Sequence, residues 1–238
     1  MMSKFGFLCL MCCFMCLRLS AQQIEPHIRI IEANGEAVDR ILTADSAFVG
    51  SAPVVAKFVA NPSGNEGRTS LYEWRIVRKD SSTPSVVRYD EDVDFTFTES
   101  GTFEVTLYAT FIDNATNDTI VDDTQRPITI TVSESSLFVP NAFSPNGDGI
   151  NDIFKVKAKS IVEFHAYIFN RWGQQLYEWG IDQMNDGGWD GTSHGKPVKD
   201  GVYFIVVKAK GSDGIKYNIR HDINILRGYE STSAVSNQ

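Results

Sequence analysis

Short runs in which apolar and polar residues alternate recur along the sequence, and they constrain the fold more than any other feature. A period of two places successive side chains on opposite faces of a β-strand. No window keeps the spacing of an amphipathic helix over three turns. The pattern therefore predicts an all-β chain, with turns rich in Gly, Asn, Asp, Ser and Pro between the strands.

The charges separate two halves of the chain. Residues 22–136 carry 19 acidic and 9 basic side chains, whereas residues 137–238 carry 11 of each. The first half also contains six strand-like runs in about a hundred residues, which is the size of an immunoglobulin-like sandwich. We expect two immunoglobulin-like β-sandwich domains in tandem, at residues 22–136 and 137–227, followed by a flexible tail at residues 228–238.

The N-terminal segment has the three parts of a secretory signal peptide. Lys4 precedes an apolar run at residues 5–17, and small residues follow before Gln22. Such a run spans about 20 Å as a helix, which is short of the roughly 30 Å hydrocarbon core of a bilayer. We expect residues 1–21 to be a signal peptide that is cleaved between Ala21 and Gln22.

Cleavage there would remove every cysteine, because Cys9, Cys12, Cys13 and Cys16 all lie in this segment. A chain without thiols has no disulfide, cysteine nucleophile or thiolate metal site. It would also keep 20 basic and 30 acidic side chains. This acidic balance disfavours nucleic acid and anionic lipid as partners.

Two stretches of the first half carry a family resemblance. Residues 72–75 (YEWR) place an aromatic residue on the inward face of a strand, and residues 100–107 (SGTFEVTL) form a turn followed by a strand. Together they resemble a PKD-type domain, over roughly residues 40–134. The resemblance implies a sandwich of the kind found in extracellular proteins of bacteria.

The second half carries four separated motifs, at coherent spacing within about 90 residues. They are PNAFSPNGDG at residues 140–149, NRWG at 170–173, WDG at 189–191, and GVYF at 201–204 with Leu226-Arg227 at the end. Residues 139–227 resemble the gliding-motility-associated C-terminal domain, the type B sorting domain of type IX secretion in Bacteroidetes. The candidate sorting residues are Pro140, Asn141, Phe143, Pro145, Asn146, Gly147, Asp148, Gly149, Asn151, Asp152, Asn170, Arg171, Trp172, Gly173, Trp189, Asp190, Gly191, Gly201, Tyr203, Phe204, Leu226 and Arg227.

The resemblance implies a protein that is secreted or held at the cell surface. We expect it to be non-enzymatic, because one sandwich between signal peptide and sorting domain leaves no room for a catalytic domain of ordinary size. Its C-terminal domain would engage the type IX translocon and an outer-membrane barrel partner after passage through the periplasm. The N-terminal sandwich would bind a surface or periplasmic protein or glycan. The alternative is an accessory or signalling component of the secretion or gliding apparatus, held at the outer membrane by its sorting domain.

Other candidate sites have simpler interpretations. Gly191-Thr192-Ser193-His194-Gly195 fits GxSxG, but glycines precede it and Lys-Pro follows, so a loop is favoured over a nucleophile elbow. Asn146, Asp148 and Asp152 are weak calcium candidates, because an EF-hand alignment puts Lys155 where a bidentate Glu belongs. The four histidines are scattered. We therefore expect no catalytic residue, no metal and no cofactor.

The tryptophans and two short polar motifs complete the candidates. Aromatic faces stack on sugars, so Trp172, Trp179 and Trp189 are candidates for a carbohydrate-binding platform. Trp172 and Trp189 lie in turn-and-strand motifs, which favours the interpretation that their rings close the core of the second sandwich. Asp45-Ser46-Ala47 and Asp118-Thr119-Ile120 resemble the O-glycosylation signal of Bacteroidetes. Thr119 and Ser46 are therefore possible acceptors, with Thr119 the better candidate.

Overall fold

The computed structural model describes residues 23–228, so the expected cleavage site at Ala21 and Gln22 lies outside the described residues. Regular structure within them is almost entirely β, and the helix present is a single 3-10 turn at Ile181–Gln183. The all-β architecture predicted from the alternating pattern is thus confirmed. Between residues 23 and 228 we find no helix whose length and apolar character would suit a membrane span.

Twelve strands belong to the first half of the described chain. They are β1 (Gln23–Ile24), β2 (His27–Ala33), β3 (Glu36–Leu42), β4 (Ala47–Gly50), β5 (Val54–Val59), β6 (Pro62–Ser63), β7 (Arg68–Arg78), β8 (Pro84–Arg88), β9 (Asp92–Phe97), β10 (Gly101–Asp113), β11 (Thr119–Asp122) and β12 (Ile128–Val132). One sheet has the order β3-β2-β5-β9, and the other has the order β4-β12-β10-β7-β8 with β11 paired to β10. Only β4 and β12 run parallel among these pairs.

The two sheets of this first sandwich share one hydrophobic core. Strand β10 follows the period of two, since Phe103, Val105, Leu107, Ala109 and Phe111 are buried and the residues between them are partly exposed. Phe58 of one sheet meets Trp74 of the other with ring centroids 5.3 Å apart. Inward aromatic and aliphatic side chains from both sheets therefore hold the sandwich together.

Nine strands belong to the second sandwich. They are β13 (Ser136–Phe138), β14 (Ala142–Phe143), β15 (Lys157–Lys159), β16 (Ile161–Phe169), β17 (Gln175–Gly180), β18 (Thr192–Ser193), β19 (Lys196–Pro197), β20 (Gly201–Gly211) and β21 (Lys216–Ile225). The main sheet has the order β14-β21-β20-β16-β17, and β13-β15 and β18-β19 are small separate pairs. A core distinct from that of the first sandwich lies against the main sheet.

Hydrogen bonds connect the two halves near residues 133–136. The backbone N–H of Ala52 donates to Ser160 Oγ at 3.1 Å, and both residues are fully buried. The N–H of Ser100 donates to the carbonyl of Ser212 at 3.1 Å, and Ser135 donates its N–H to Asp213 at 2.9 Å. The two hydrophobic cores lie on either side of this junction.

Candidate functional site

Several motif residues of the second sandwich meet in one aromatic cluster. Trp189 is fully buried, with its ring 5.5 Å from Phe143 and 5.3 Å from Tyr203, centroid to centroid. Phe143 also contacts Phe154 at 5.6 Å. The indole Nε1–H of Trp189 donates to the carbonyl of Thr192 at 2.7 Å. Residues that are far apart in sequence are therefore held in one core, with the polar atom of the largest ring satisfied.

Asp190 fixes the turn that follows this tryptophan. Its Oδ1 accepts the backbone N–H of Thr192 at 2.9 Å and the hydroxyl of Thr192 at 2.8 Å. Gly191 has a φ of +76°, and a Cβ there would lie 2.9 Å from Pro145 Cγ. A side chain would meet both backbone strain and a clash at this position. The WDG motif therefore has an architectural role.

Arg227 joins four segments of the second sandwich. Its Nη1 donates to the carbonyl of Val198 at 2.7 Å and pairs with Asp200 at 2.6 Å. Its Nη2 donates to the carbonyl of Gly191 at 3.1 Å, and its Nε donates to the carbonyl of Pro145 at 3.2 Å. The planar guanidinium satisfies several acceptors at once, which a lysine ammonium does with less geometric fit. The last motif residue thus ties the first and third motifs together.

The loop with the NGDG sequence is organised by its own carboxylates. Asp152 accepts the backbone N–H groups of Asn146, Gly147 and Gly149 at 2.9, 2.7 and 2.7 Å. The bonds from Gly147 and Gly149 are the main cause that lowers the pKa of Asp152 below its ordinary value. Asp148 accepts the N–H of Ile150 at 2.8 Å. The bond from Ile150 to Asp148 is that of an Asx turn, whereas Asp152 closes the loop by accepting N–H groups from residues that precede it.

Metal ligation has no further support in this loop. Between residues 23 and 228, no group of three or more His, Cys, Asp or Glu side chains is arranged to hold a metal ion. Two of the weak calcium candidates, Asp148 and Asp152, direct carboxylate oxygens to backbone N–H groups of the loop itself.

Trp172 departs from its predicted role. It is 75% exposed at the tip of the β16–β17 hairpin, so the prediction that it closes the core is wrong. Asn170 Oδ1 accepts the N–H groups of Trp172 and Gln174, both at 3.0 Å, and this turn directs the indole outwards. The guanidinium carbon of Arg171 lies 4.3 Å from the Trp172 ring centroid, a cation–π arrangement.

Trp179 and Trp189 do not form a sugar-binding platform with Trp172. Trp179 and Trp189 are 2% and 0% exposed, so neither ring face is open for a sugar. A platform of three rings for glycan stacking is therefore absent from the described part of the second sandwich.

The remaining motif residues surround the same end of the sandwich. The hydroxyl of Tyr203 donates to the carbonyl of Lys199 at 2.7 Å, and the N–H of Asn224 donates to the carbonyl of Asn141 at 2.9 Å. Phe204 and Leu226 are 44% and 48% exposed. The N–H of Ser144 donates to the carbonyl of Asn151 at 3.0 Å. The motifs therefore divide into a buried set that builds this end and an exposed set around Trp172.

The second half of the chain is similar to a known family of secretion domains. Residues 137–219 match the CHU_C type IX secretion signal domain. No curated protein matches the sequence. Among solved structures, the dimeric latent PorU from Porphyromonas gingivalis is similar with 13% identity and a TM-score of 0.25, over 88% of this chain and 20% of the PorU chain. The chain thus spans about a fifth of that relative.

The matched range contains the first three motifs and GVYF of the fourth, whereas Leu226-Arg227 follow it. A domain of this family implies that the protein is exported through the type IX secretion system and reaches the cell surface or the medium. The PKD-type resemblance of the first sandwich stays a prediction.

The other sequence candidates lie elsewhere. Ser193 and His194 belong to the tight β18–β19 hairpin, and not to a strand-to-helix turn. Thr119 begins the exposed strand β11, whereas the Oγ of Ser46 accepts the N–H of Thr43 at 3.2 Å. Sequence reasoning missed the anchoring of Arg227 to Val198 and Asp200, because no local pattern signals contacts over 27 residues.

Proposed function

We propose that this chain is a non-enzymatic exported protein whose second sandwich directs it across the outer membrane and whose first sandwich binds a partner. The match of residues 137–219 to a type IX secretion signal domain carries the proposal. The structure of the second sandwich supports it, because Phe143 and Trp189 from separate motifs share one core and Arg227 donates to the carbonyl of Gly191, two residues after Trp189. Sorting would then depend on a folded domain.

The first sandwich is the partner-binding unit in this proposal. It has its own core, and residues 22–136 have an excess of acidic over basic side chains. The loops of a β-sandwich can change specificity while its framework stays the same. This excess of acidic side chains favours a basic or cation-bearing partner on the cell surface or in the periplasm. Thr119 is exposed at the start of β11 and remains a proposed O-glycosylation site there.

A truncation tests the sorting role. Deleting residues 137–238 should leave the first sandwich in the periplasm, because the deletion removes the whole secretion signal domain. Protease treatment of intact cells, followed by immunoblotting, measures surface exposure of an epitope placed in the first sandwich. Deleting only residues 229–238, which follow the family match, is the matched control.

Protease digestion and co-purification separate the possible outcomes. The proposal predicts that the full chain is digested on intact cells and that the truncated chain is digested only after the outer membrane is opened. Surface exposure of the truncated chain would refute the sorting role. Stable co-purification of the full chain with an outer-membrane barrel would favour the accessory role in the secretion or gliding apparatus.

A further inference from the structure

A groove of about 580 Å³ lies beside the exposed hairpin tip of the second sandwich. Its lining includes Trp172, Leu176, Val202 and Phe204, with Arg171 and Lys199 at its edges. Trp172, Val202 and Phe204 are 75%, 49% and 44% exposed. Exposed apolar side chains that lie together in this way are typical of a surface that binds a partner.

The groove carries two positively charged side chains, Arg171 and Lys199, that form no ion pair within the described residues. Among residues 23–228, no carboxylate lies within 4.0 Å of the charged groups of Arg171 or Lys199. Asp200 also lines the groove, but its carboxylate pairs with Arg227 at 2.6 Å. The groove therefore suits a protein segment that presents an aromatic or aliphatic side chain next to an acidic one.

Such a segment is exposed at the β8–β9 connection of the first sandwich. Tyr89 is 70% exposed and is followed by the exposed Asp90 and Glu91. Within the described residues, no basic group lies within 4.0 Å of the carboxylates of Asp90 or Glu91, whereas Asp92 pairs with Lys57 at 3.3 Å. We call residues 89–91 the acidic tip.

The acidic tip and the groove lie at opposite ends of the tandem sandwiches. Strand β9 runs from the tip towards Ser100, which bonds to Ser212 of the second sandwich. Strand β16 then starts beside the buried Ser160 and runs away from the first sandwich to the groove. These two strands span about 17 and 26 Å at roughly 3.3 Å per residue. The tip therefore cannot reach the groove of its own molecule.

We propose that the acidic tip of one copy binds the groove of a second copy, so that the protein assembles head to tail. Tyr89 enters between Trp172 and Phe204, and Asp90 pairs with Arg171 or Lys199. Aromatic and Arg side chains are the residue types that dominate the energy of such interfaces. The contact joins two different surfaces, so each added copy exposes a new groove and a new tip. This assembly is independent of the export role.

Sedimentation velocity of the chain from Gln22 onwards, over a wide range of concentration, tests the assembly. The wild type should form dimers and longer species that dissociate as salt is raised, because the charged pair is exposed. Trp172→Ala and Tyr89→Ala should each weaken self-association about tenfold or more, as expected for a central aromatic contact. Leu71→Ala, which removes a 54% exposed side chain from β7, is the matched control.

Mixing the variants tests the two-surface geometry. Trp172→Ala keeps an intact tip and Tyr89→Ala keeps an intact groove, so the mixture should form a 1:1 dimer that does not extend. Asp90→Arg should prevent assembly, and Arg171→Asp in the same chain should restore it. Thermal unfolding should be unchanged in all four variants, which separates loss of contact from loss of fold.

Several outcomes would overturn the proposal. They are a wild type that stays monomeric at every concentration, variants that fail to pair when mixed, and an equal loss of assembly in Leu71→Ala. Loss of assembly when residues 229–238 are removed, with the tip intact, would show that this segment is the ligand of the second copy's groove, and would refute the tip in that role. Normal assembly of Trp172→Ala combined with lost export would assign the groove to the secretion machinery.

Discussion

Replacing Trp189 with alanine is expected to unfold much of the secretion signal domain and to abolish export. The ring is fully buried, lies between Phe143 and Tyr203, and donates a hydrogen bond to Thr192. Loss of a buried Trp ring typically costs about 3 to 5 kcal/mol. Because whole domains are stable by roughly 5 to 15 kcal/mol, this loss removes a large share of the stability.

Thermal unfolding of the chain from Gln22 and protease treatment of intact cells measure the two effects. Trp172→Ala is the matched control for stability alone, since it removes the same ring from a 75% exposed position and should leave the melting temperature unchanged. Asp190→Ala removes two short hydrogen bonds to Thr192 and should have a smaller effect, of about 1 kcal/mol. A Trp189→Ala protein that keeps its stability but is not exported would show that the ring contacts the secretion machinery, against the architectural role.

Replacing Arg227 with alanine should produce the second largest loss. The side chain is 24% exposed, and it holds Asp200 together with the carbonyls of Pro145, Gly191 and Val198. Hydrogen bonds that involve a charged group contribute about 1.5 to 3 kcal/mol each, and such contributions are not additive within one network. We expect a loss of about 3 kcal/mol in the free energy of unfolding, with export reduced in parallel.

Denaturant unfolding of the same chain measures this change. Arg220→Ala is the matched control, because Arg220 is an exposed residue of β21. Arg227→Lys should recover only part of the lost stability, since an ammonium lacks the planar fork that faces several carbonyls. Equal stability of Arg227→Ala and Arg220→Ala would contradict the anchoring role assigned to Arg227.

The long central strands were predictable because burial on one face imposes a period of two. Strands β7, β10, β16 and β20 follow the alternation that the sequence predicts over most of their length. Strand β3 lacks this signal, since only its last residue is buried and its sequence EAVDRIL has no clean alternation. An edge strand of this kind is held by its neighbour β2, and a single-sequence pattern does not report that pairing.

The two tryptophan turns show why the site was only partly predictable. Both Trp172 and Trp189 precede or adjoin a Gly-containing turn, so local composition does not distinguish them. Trp172 points outwards because the Asn170 side chain closes a turn at the end of a hairpin. Trp189 is buried because its backbone pairs with Phe154, which lies 35 residues earlier. The difference depends on contacts between distant segments.

Transplantation of the secretion signal domain tests the central claim most directly. Residues 133–238 would be fused behind a periplasmic reporter that carries its own signal peptide, in a host with a type IX secretion system. Our account predicts that protease on intact cells digests the reporter, and that Trp189→Ala in the fusion prevents this. A fused reporter that remains protected inside the outer membrane, although the domain is folded, would contradict the assignment of sorting to this domain.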